Sequence, residues 1–87
     1  MVKEKNYADT LRQCAKIAKE RQEQYGNAVP SIQIACDILK VSFGIELTVK
    51  QFCYVLVALK LSRQANQHKD DNILDTINYL AISLNTK

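Results

Sequence analysis

The most informative stretch of the chain runs from Thr48 to Asn66 and reads TVKQFCYVLVALKLSRQAN. Its first four residues have the pattern of a capping box, in which a threonine and a glutamine three positions later bind each other's backbone N–H groups at a helix start. The apolar run from Phe52 to Leu59 is rich in β-forming residues and could by itself form a buried strand. The cap before this run and the polar continuation after it instead predict one long helix over residues 49–66.

A first helix is predicted over about residues 6–25. Asn6 can cap its start, and Gly26 can adopt the left-handed conformation in which many helices end. Apolar residues recur along this segment at steps of three and four and predict a stripe that packs against a partner helix. The stripe, which also passes through Arg21, consists of Tyr7, Leu11, Cys14, Ala18 and Tyr25.

Two further helices are predicted over about residues 31–43 and 71–85. Pro30 is preorganised for the first turn of the second helix, and Asp70 or Asp71 can cap the fourth. The predicted inner face of the second helix consists of Ile32, Ala35, Cys36, Leu39 and Phe43. The predicted seam of the fourth helix consists of Ile73, Ile77, Leu80 and Leu84, with Leu74 and Ala81 beside it.

The composition favours helices over strands. The chain has 87 residues, of which 47% are hydrophobic and 24% charged, but only 2 glycines and 1 proline. An all-β domain needs a turn about every 8–12 residues, and turns draw heavily on glycine and proline. The length suits one hydrophobic core, so residues 1–87 are predicted to form a single all-α domain, a compact four-helix antiparallel bundle.

The third predicted helix is apolar around most of its circumference, and the fourth carries apolar residues away from its seam. A helix that is apolar all round has to be buried all round, and a chain of this size has little else to cover it. We therefore expect a homo-oligomer with its interface on the third and fourth helices, and a monomer with a few exposed apolar residues is the alternative. The residues concerned are Phe52, Tyr54, Leu56, Val57, Ala58, Leu59, Leu61, Tyr79 and Ile82.

Charge and cysteine spacing argue against several classes of protein. The net charge of +3 is small and its basic residues are dispersed, unlike a nucleic-acid-binding surface. The longest apolar run has eight residues, far short of the ~20 that a membrane span needs. Residues 1–6 lack the apolar core of a signal peptide, and the 3 cysteines lack paired spacings. We expect a cytoplasmic protein with buried free thiols that binds neither nucleic acid nor membranes.

Two basic and two acidic side chains are predicted to meet beside the turn that joins the third and fourth helices. Lys60 and Arg63 are three residues apart on the third helix, and Asp71 and Asp75 are four apart on the fourth. One interpretation is a network of salt bridges that fixes the two helices. The other is an anion site, in which the two cations bind phosphate and an aspartate contacts a sugar hydroxyl, a base edge or a metal.

Two tyrosines extend the anion-site interpretation, because aromatic rings can stack on a base, although either could belong to the core or an interface. No catalytic residue is predicted: His68 lies in a turn, and the cysteines belong to apolar stretches. The candidate ligand-binding residues are Lys60, Arg63, Asp71, Asp75, Tyr25 and Tyr79.

Several of these residues have the spacing of a known family. The matching motifs are Tyr25-Gly26, Leu59-Lys60-x-x-Arg63, and Asp71-Asn72-x-x-Asp75 followed by Tyr79. Together they resemble a family of small, mostly phage- and prophage-encoded helical proteins of unassigned function. The resemblance covers roughly residues 20–84 and departs at Asn78, where that family favours glycine. It implies a phage-type protein in the cytoplasm of a host cell.

The four-helix layout is also distantly similar to the all-α nucleotide pyrophosphohydrolases of the MazG-like type. In those enzymes Glu-x-x-Glu and Glu-x-x-Asp motifs hold magnesium over a triphosphate, because hard cations need several carboxylate oxygens. The corresponding positions read Lys60-x-x-Arg63 and either Asn72-x-x-Asp75 or Asp71-x-x-x-Asp75. Two cations in place of two carboxylates repel magnesium, so this resemblance implies a pocket for an anionic ligand without the metal.

Three hypotheses about function follow. The first is an oligomeric binding module that captures a phosphorylated small molecule such as a nucleotide signal, with no cofactor, as a counter-defence sponge. The second is a magnesium-dependent nucleotide pyrophosphohydrolase in which Asp71 and Asp75 hold Mg²⁺ with help from Asp37 or Glu23. The third is a protein–protein effector that inhibits a host complex. We favour the first, because the carboxylates that a magnesium enzyme needs are few and scattered.

Overall fold

Four α-helices joined by short turns make up the fold. The computed structural model describes residues 6–86, and no strand occurs in that part of the chain. The all-helical class is therefore confirmed. The prediction about the N-terminal segment rests mainly on residues 1–5, which lie outside the described residues. The helices are α1 (Tyr7–Tyr25), α2 (Ala28–Phe43), α3 (Val49–Asn66) and α4 (Asp70–Leu84).

The start of α3 is the predicted capping box. Gln51 N donates to Thr48 Oγ1 over 3.1 Å, and Thr48 N donates to Gln51 Oε1 over 2.9 Å. Two backbone N–H groups that have no partner within the helix are thereby satisfied. The apolar run that follows is helical throughout, so the alternative of a buried strand is wrong.

Removing the threonine hydroxyl should weaken α3 from its first turn. We expect Thr48→Ala to lower the free energy of unfolding by about 1 kcal/mol, because Gln51 N loses its acceptor. Ser62→Ala, at an exposed position in the same helix, is the matched control and should change stability by less than about 0.5 kcal/mol. Urea denaturation measures both, and equal midpoints for the two variants would contradict a working cap.

Asparagine side chains begin the first two helices. Asn6 Oδ1 accepts a hydrogen bond from Ala8 N over 2.9 Å, as predicted, and Asn27 Oδ1 accepts one from the N–H two residues later over 3.0 Å. Because of this second cap, α2 begins at Ala28 rather than near residue 31. Pro30 is accommodated in the first turn, where a backbone N–H has no helical partner anyway.

The start of α4 also differs from the prediction. Lys69 occupies the capping position and its side chain makes no capping hydrogen bond. Asp70 and Asp71 therefore do not cap α4, and the prediction that one of them does is wrong. Both carboxylates lie in the first turn instead, where they interact favourably with the positive end of the helix dipole.

Both glycines end helices with a positive φ. Gly44 adopts the left-handed conformation (φ 68°, ψ 17°), and its N–H bonds back to the last turn of α2. Gly26 has φ 79° but ψ −168°, which lies outside the left-handed helical region, so α1 does not end in the predicted left-handed conformation. This positive-φ region is essentially restricted to glycine. The chain turns sharply out of α1 at Gly26. Only Asn27 separates this glycine from the first residue of α2.

The buried core is small and lies where α2 packs on α3. Cys53, at the centre, is fully buried, and all three cysteines are buried free thiols, as predicted. The other buried members of this cluster are Ile32, Cys36 and Val49. The partly buried residues packed around it are Val29, Leu47, Phe52, Tyr79 and Ile82.

The closest helix pair is α3 with α4, and the fully buried residues of α4 are polar. The buried residues of α4 are Asn72, Thr76 and Ser83. Thr76 Oγ1 donates to Asn72 O over 2.8 Å, and Asn72 Nδ2 donates to Gln64 Oε1 of α3 over 3.1 Å. Because these groups are hydrogen-bonded, they can be buried at little cost.

Most of the predicted apolar seam of α4 is exposed, although Ile77 and the adjacent Leu74 are partly buried. Ile73, Leu80 and Leu84 are 37%, 42% and 85% exposed, so the prediction that they pack inside their own chain is wrong. The stripes predicted on the other helices are also only partly covered. Cys14 is the buried member of the α1 stripe, whose ends Tyr7 and Tyr25 are exposed. The helix ends extend beyond the helices that cover their middles.

The chain is more extended than a compact domain. Its radius of gyration is 14.8 Å and its extents are 54 × 31 × 21 Å, whereas a compact domain of this length has a radius of gyration of about 12 Å. The packing is that of a helical bundle, but the prediction of compactness is wrong. The α3–α4 pair is the best-packed part of the fold, whereas α2 on α3 and α1 on α4 pack much less closely, which explains the extended shape.

Candidate functional site

Asp75 on α4 lies between two cations from two other helices. Its Oδ2 is 2.8 Å from Lys60 Nζ on α3, and its Oδ1 is 3.3 Å from Arg21 Nη1 on α1. The Lys60 and Asp75 side chains are each 18% exposed, whereas Arg21 is 51% exposed. We call these three side chains the Asp75 ion cluster. It contains the salt bridge between α3 and α4 that one interpretation of the sequence predicts.

Arg63 and Asp71 do not join this cluster. Both are exposed, and within residues 6–86 neither takes part in a salt bridge. Lys60 and Arg63 are three residues apart, which leaves their directions about 60° apart around α3. Arg63 instead lines a polar depression of about 290 Å³ beside the α3–α4 turn, together with Asn66, Gln67, Lys69 and Asn72. The structure thus separates the two cations of the predicted phosphate site.

Tyr25 and Tyr79 line a common cleft, which we call the tyrosine cleft. Its volume is about 360 Å³, and it lies where the end of α1 and the start of α2 approach α4. Tyr25 is 77% exposed, whereas Tyr79 is half-buried against the core. The lining of the tyrosine cleft also includes the apolar side chains of Ile32, Leu56 and Ile82 and the polar side chains of Arg21 and Asn78.

Arg21 connects the tyrosine cleft to the Asp75 ion cluster, since it lines the first and belongs to the second. The sequence placed Arg21 on the α1 stripe but did not identify it as a member of the anion site. The signal that could have identified it is its register. Arg21 follows Cys14 and Ala18 at steps of four and three, so it points to the side of α1 that meets α4.

Residues 9–87 match the family described as a domain of unknown function, DUF6378. The chain belongs to this family. No curated protein and no solved structure matches the chain. Membership of DUF6378 fits the predicted kind of family, one without an assigned function, while phage origin and a relationship to MazG-like enzymes stay predictions.

The magnesium alternative lacks a ligand set in this DUF6378 chain. In the described part of the chain, no three His, Cys, Asp or Glu side chains lie close enough together to hold a metal ion. Both carboxylate oxygens of Asp75 already face cations. Asp71, the other proposed ligand, is exposed in the first turn of α4. These residues do not fit a divalent cation.

The buried thiols are poorly suited to nucleophilic chemistry. Burial raises the pKa of the Cys36 thiol, and the neighbouring charge of Asp37 raises it further. Burial also raises the pKa of the Cys53 thiol, with a smaller contribution from Cys36. The thiolate is the reactive form of cysteine, and a raised pKa keeps it scarce at neutral pH.

In the part of the chain that the structure describes, no helix is long and apolar enough to cross a membrane.

The Lys60–Asp75 pair should contribute measurably to stability. We expect Lys60→Ala to lower the free energy of unfolding by about 1–3 kcal/mol, because it leaves a mostly buried carboxylate with one partner fewer. Lys40→Ala is the matched control. It breaks the exposed Lys40–Glu46 pair, whose atoms are 3.3 Å apart, and should cost less than about 0.5 kcal/mol. Urea denaturation measures both variants. If Lys60→Ala and Lys40→Ala lose similar amounts of unfolding free energy, burial adds nothing to the strength of the Lys60–Asp75 pair.

Proposed function

We propose that this protein is a small helical binding module that takes a phosphorylated small molecule of nucleotide size into the tyrosine cleft. The observation that carries the proposal is the convergence of Tyr25, Tyr79 and Arg21 on one cleft. The predicted ligand class is retained from the sequence, but the site is different. Arg21 takes the role that the sequence assigned to Lys60 and Arg63.

The size and the lining of the cleft support a small aromatic ligand. Small-molecule sites have volumes of about 300–1,000 Å³ and are mostly apolar with a few polar groups. The tyrosine cleft, at about 360 Å³, is at the lower end of that range and suits a mononucleotide. Tyrosine rings on two different helices can stack on a base, which contributes about 1–3 kcal/mol per base.

The charges beside the cleft support a phosphate group. At neutral pH Arg21 and Lys60 each carry a positive charge and Asp75 a negative one, so the cluster keeps a net charge of +1. Arg21 is half exposed and has five N–H donors, of which Asp75 takes one. The guanidinium can therefore bind a phosphate oxygen without releasing Asp75.

We also propose that the chain self-associates through α3 and α4. The surface concerned, which we call the hairpin surface, is apolar and mostly exposed in the described chain, although Ile77 is partly buried and Ile73 borders Thr10 and Gln13 of α1. Ile73, Leu80 and Leu84 repeat on α4 with Ile77 at steps of four and three, the spacing by which one helix packs along another. The residues of the hairpin surface are Tyr54 and Leu61 on α3 and Ile73, Ile77, Leu80 and Leu84 on α4. Light scattering after size exclusion measures the molar mass, which Leu80→Lys should lower, and a monomeric wild type would contradict self-association.

Isothermal titration calorimetry of the wild-type protein tests the ligand proposal. The panel is AMP, GMP, CMP and UMP, the corresponding di- and triphosphates, and cyclic mono- and dinucleotides. Adenosine and inorganic phosphate are the controls for base and phosphate alone. We expect at least one nucleotide to bind at least tenfold more tightly than either control. Absence of binding across the whole panel would remove the proposal.

The predicted counter-defence role depends on a ligand of this kind and stays a prediction. A sponge for a nucleotide signal must bind without turnover. Incubation with the nucleotide that binds, with and without Mg²⁺, should therefore return it unchanged by chromatography. Release of pyrophosphate would instead favour the hydrolase hypothesis. The third hypothesis, an effector that inhibits a host complex, predicts a stoichiometric host protein in a pull-down.

A further inference from the structure

Asn78 of α4 brings an amide to the tyrosine cleft that has no partner within residues 6–86. Its side chain lines the cleft and is partly buried. The side chains of α4 that make hydrogen bonds in this part of the chain are Asn72, Asp75, Thr76 and Ser83. Since polar groups removed from water are normally hydrogen-bonded, the amide of Asn78 is available to a ligand in the cleft.

The burial of Asn78 sets it apart from the other amides that line the cleft. Gln22 and Asn27 are both exposed, and Asn27 uses its side-chain oxygen to cap α2. Asn78 instead lies directly before Tyr79, the tyrosine that packs against the core. A hydrogen bond to a partly buried amide competes less with water, so Asn78 is the amide best placed to recognise a bound group.

The order of residues along α4 places Asn78 between the phosphate and the base of the proposed ligand. Asp75, which holds Arg21, precedes Asn78 by three residues and lies about 4.5 Å away along the helix axis. Tyr79 follows one position later. On α1, Tyr25 likewise lies one turn beyond Arg21. A ligand with its phosphate on Arg21 and its base at the two tyrosines therefore turns the phosphate side of the base toward Asn78.

An amide on the phosphate side of a purine distinguishes adenine from guanine. In the common anti form of a nucleotide, the edge of the purine that carries N7 lies on the side of the 5′-phosphate. Along this edge adenine has an acceptor at N7 and a donor at its 6-amino group, whereas guanine has two acceptors. Asparagine offers one donor and one acceptor, so it can make two hydrogen bonds to adenine but only one to guanine.

We propose that Asn78 is a specificity-determining residue of the tyrosine cleft and pairs with the 6-amino group and N7 of an adenine nucleotide. The inference rests on the proposed function, because it requires a nucleotide in this cleft, and it narrows the ligand class to adenine nucleotides. Arg21 binds the phosphate, Tyr25 and Tyr79 stack on the ring, and Asn78 recognises its edge. Since each contact concerns a different part of the ligand, each can be removed separately.

Isothermal titration calorimetry with altered bases tests this pairing. The ligands are AMP, 7-deaza-AMP, which lacks the N7 acceptor, purine riboside 5′-monophosphate, which lacks the 6-amino group, and GMP. The proteins are the wild type, Asn78→Leu, which keeps the side-chain shape, and Gln24→Met, which removes an exposed amide of α1 outside the cleft. We expect the wild type and Gln24→Met to bind AMP at least about fivefold more tightly than the other three ligands. Asn78→Leu should bind AMP and its two analogues equally, at least about fivefold more weakly than the wild type binds AMP.

The results separate this inference from the proposed function. If the wild type binds AMP and its two analogues equally, or if Asn78→Leu keeps the preference for AMP, the role of Asn78 is overturned and the nucleotide proposal stands. A wild type that prefers GMP, CMP or UMP to AMP likewise overturns adenine selection alone. Absence of binding by every nucleotide overturns both. Circular dichroism establishes that each variant remains helical, and Asn78→Ala makes the same comparison if the larger leucine side chain blocks the cleft.

Discussion

Ile32→Ala should lower the free energy of unfolding by about 2–5 kcal/mol. Ile32 is 8% exposed and belongs to the small cluster around Cys53 that joins α2 to α3. The substitution removes three buried carbons and leaves a cavity that the few neighbouring side chains cannot fill. A domain of this length has a total stability of roughly 4–13 kcal/mol, so the loss is a large share of the whole.

Leu11→Ala is the control for this prediction. It removes the same number of carbons from a position on α1 that is 53% exposed, and it should cost less than about 1 kcal/mol. Urea denaturation, followed by circular dichroism at one protein concentration, compares the two variants. A loss for Ile32→Ala no larger than that for Leu11→Ala would contradict the position of the core between α2 and α3.

The second large effect is expected on ligand binding. Arg21→Gln should weaken the binding of AMP by about 10- to 100-fold, because a charge-assisted hydrogen bond is worth about 1.5–3 kcal/mol. Glutamine keeps a hydrogen-bond donor but removes the positive charge and the two-pronged guanidinium. In the Arg21→Gln protein Asp75 keeps its salt bridge to Lys60, whose Nζ lies 2.8 Å away, so the fold should persist.

Arg12→Gln is the matched control for the binding experiment. Arg12 lies on the same helix and pairs with Asp9 on the surface, away from the tyrosine cleft. Its replacement should leave the dissociation constant for AMP unchanged, as measured by calorimetry under the same conditions. Equal affinities of the Arg21→Gln and Arg12→Gln proteins would show that Arg21 does not hold the phosphate.

Local signals in the sequence predicted the helices well where the chain itself supplies the interaction. The capping box at Thr48 and Gln51 and the Asn6 cap of α1 depend only on residues a few positions apart. The orientation of α4 could not be predicted in this way. Thr76 satisfies its hydroxyl on its own helix, so a polar residue could occupy the buried side while Leu80 stayed outside.

The candidate site shows the same limit. Sequence spacing correctly brought Lys60 and Asp75 together, since both belong to helices joined by a short turn. It could not show that Arg21, 54 positions before Asp75, reaches the same carboxylate, because that contact depends on how α1 packs on α4. Nor could it show that Tyr25 and Tyr79 share a cleft, which depends on the turn at Gly26.

Titration of ¹⁵N-labelled protein with AMP, followed by backbone amide chemical shifts, tests the proposed site most directly. The account predicts that the largest shifts fall at the end of α1, the start of α2, and Asn78, Tyr79 and Ile82 of α4, which line the tyrosine cleft. Shifts confined to Arg63 and the α3–α4 turn, or no shifts with any nucleotide of the calorimetric panel at millimolar concentration, would contradict it.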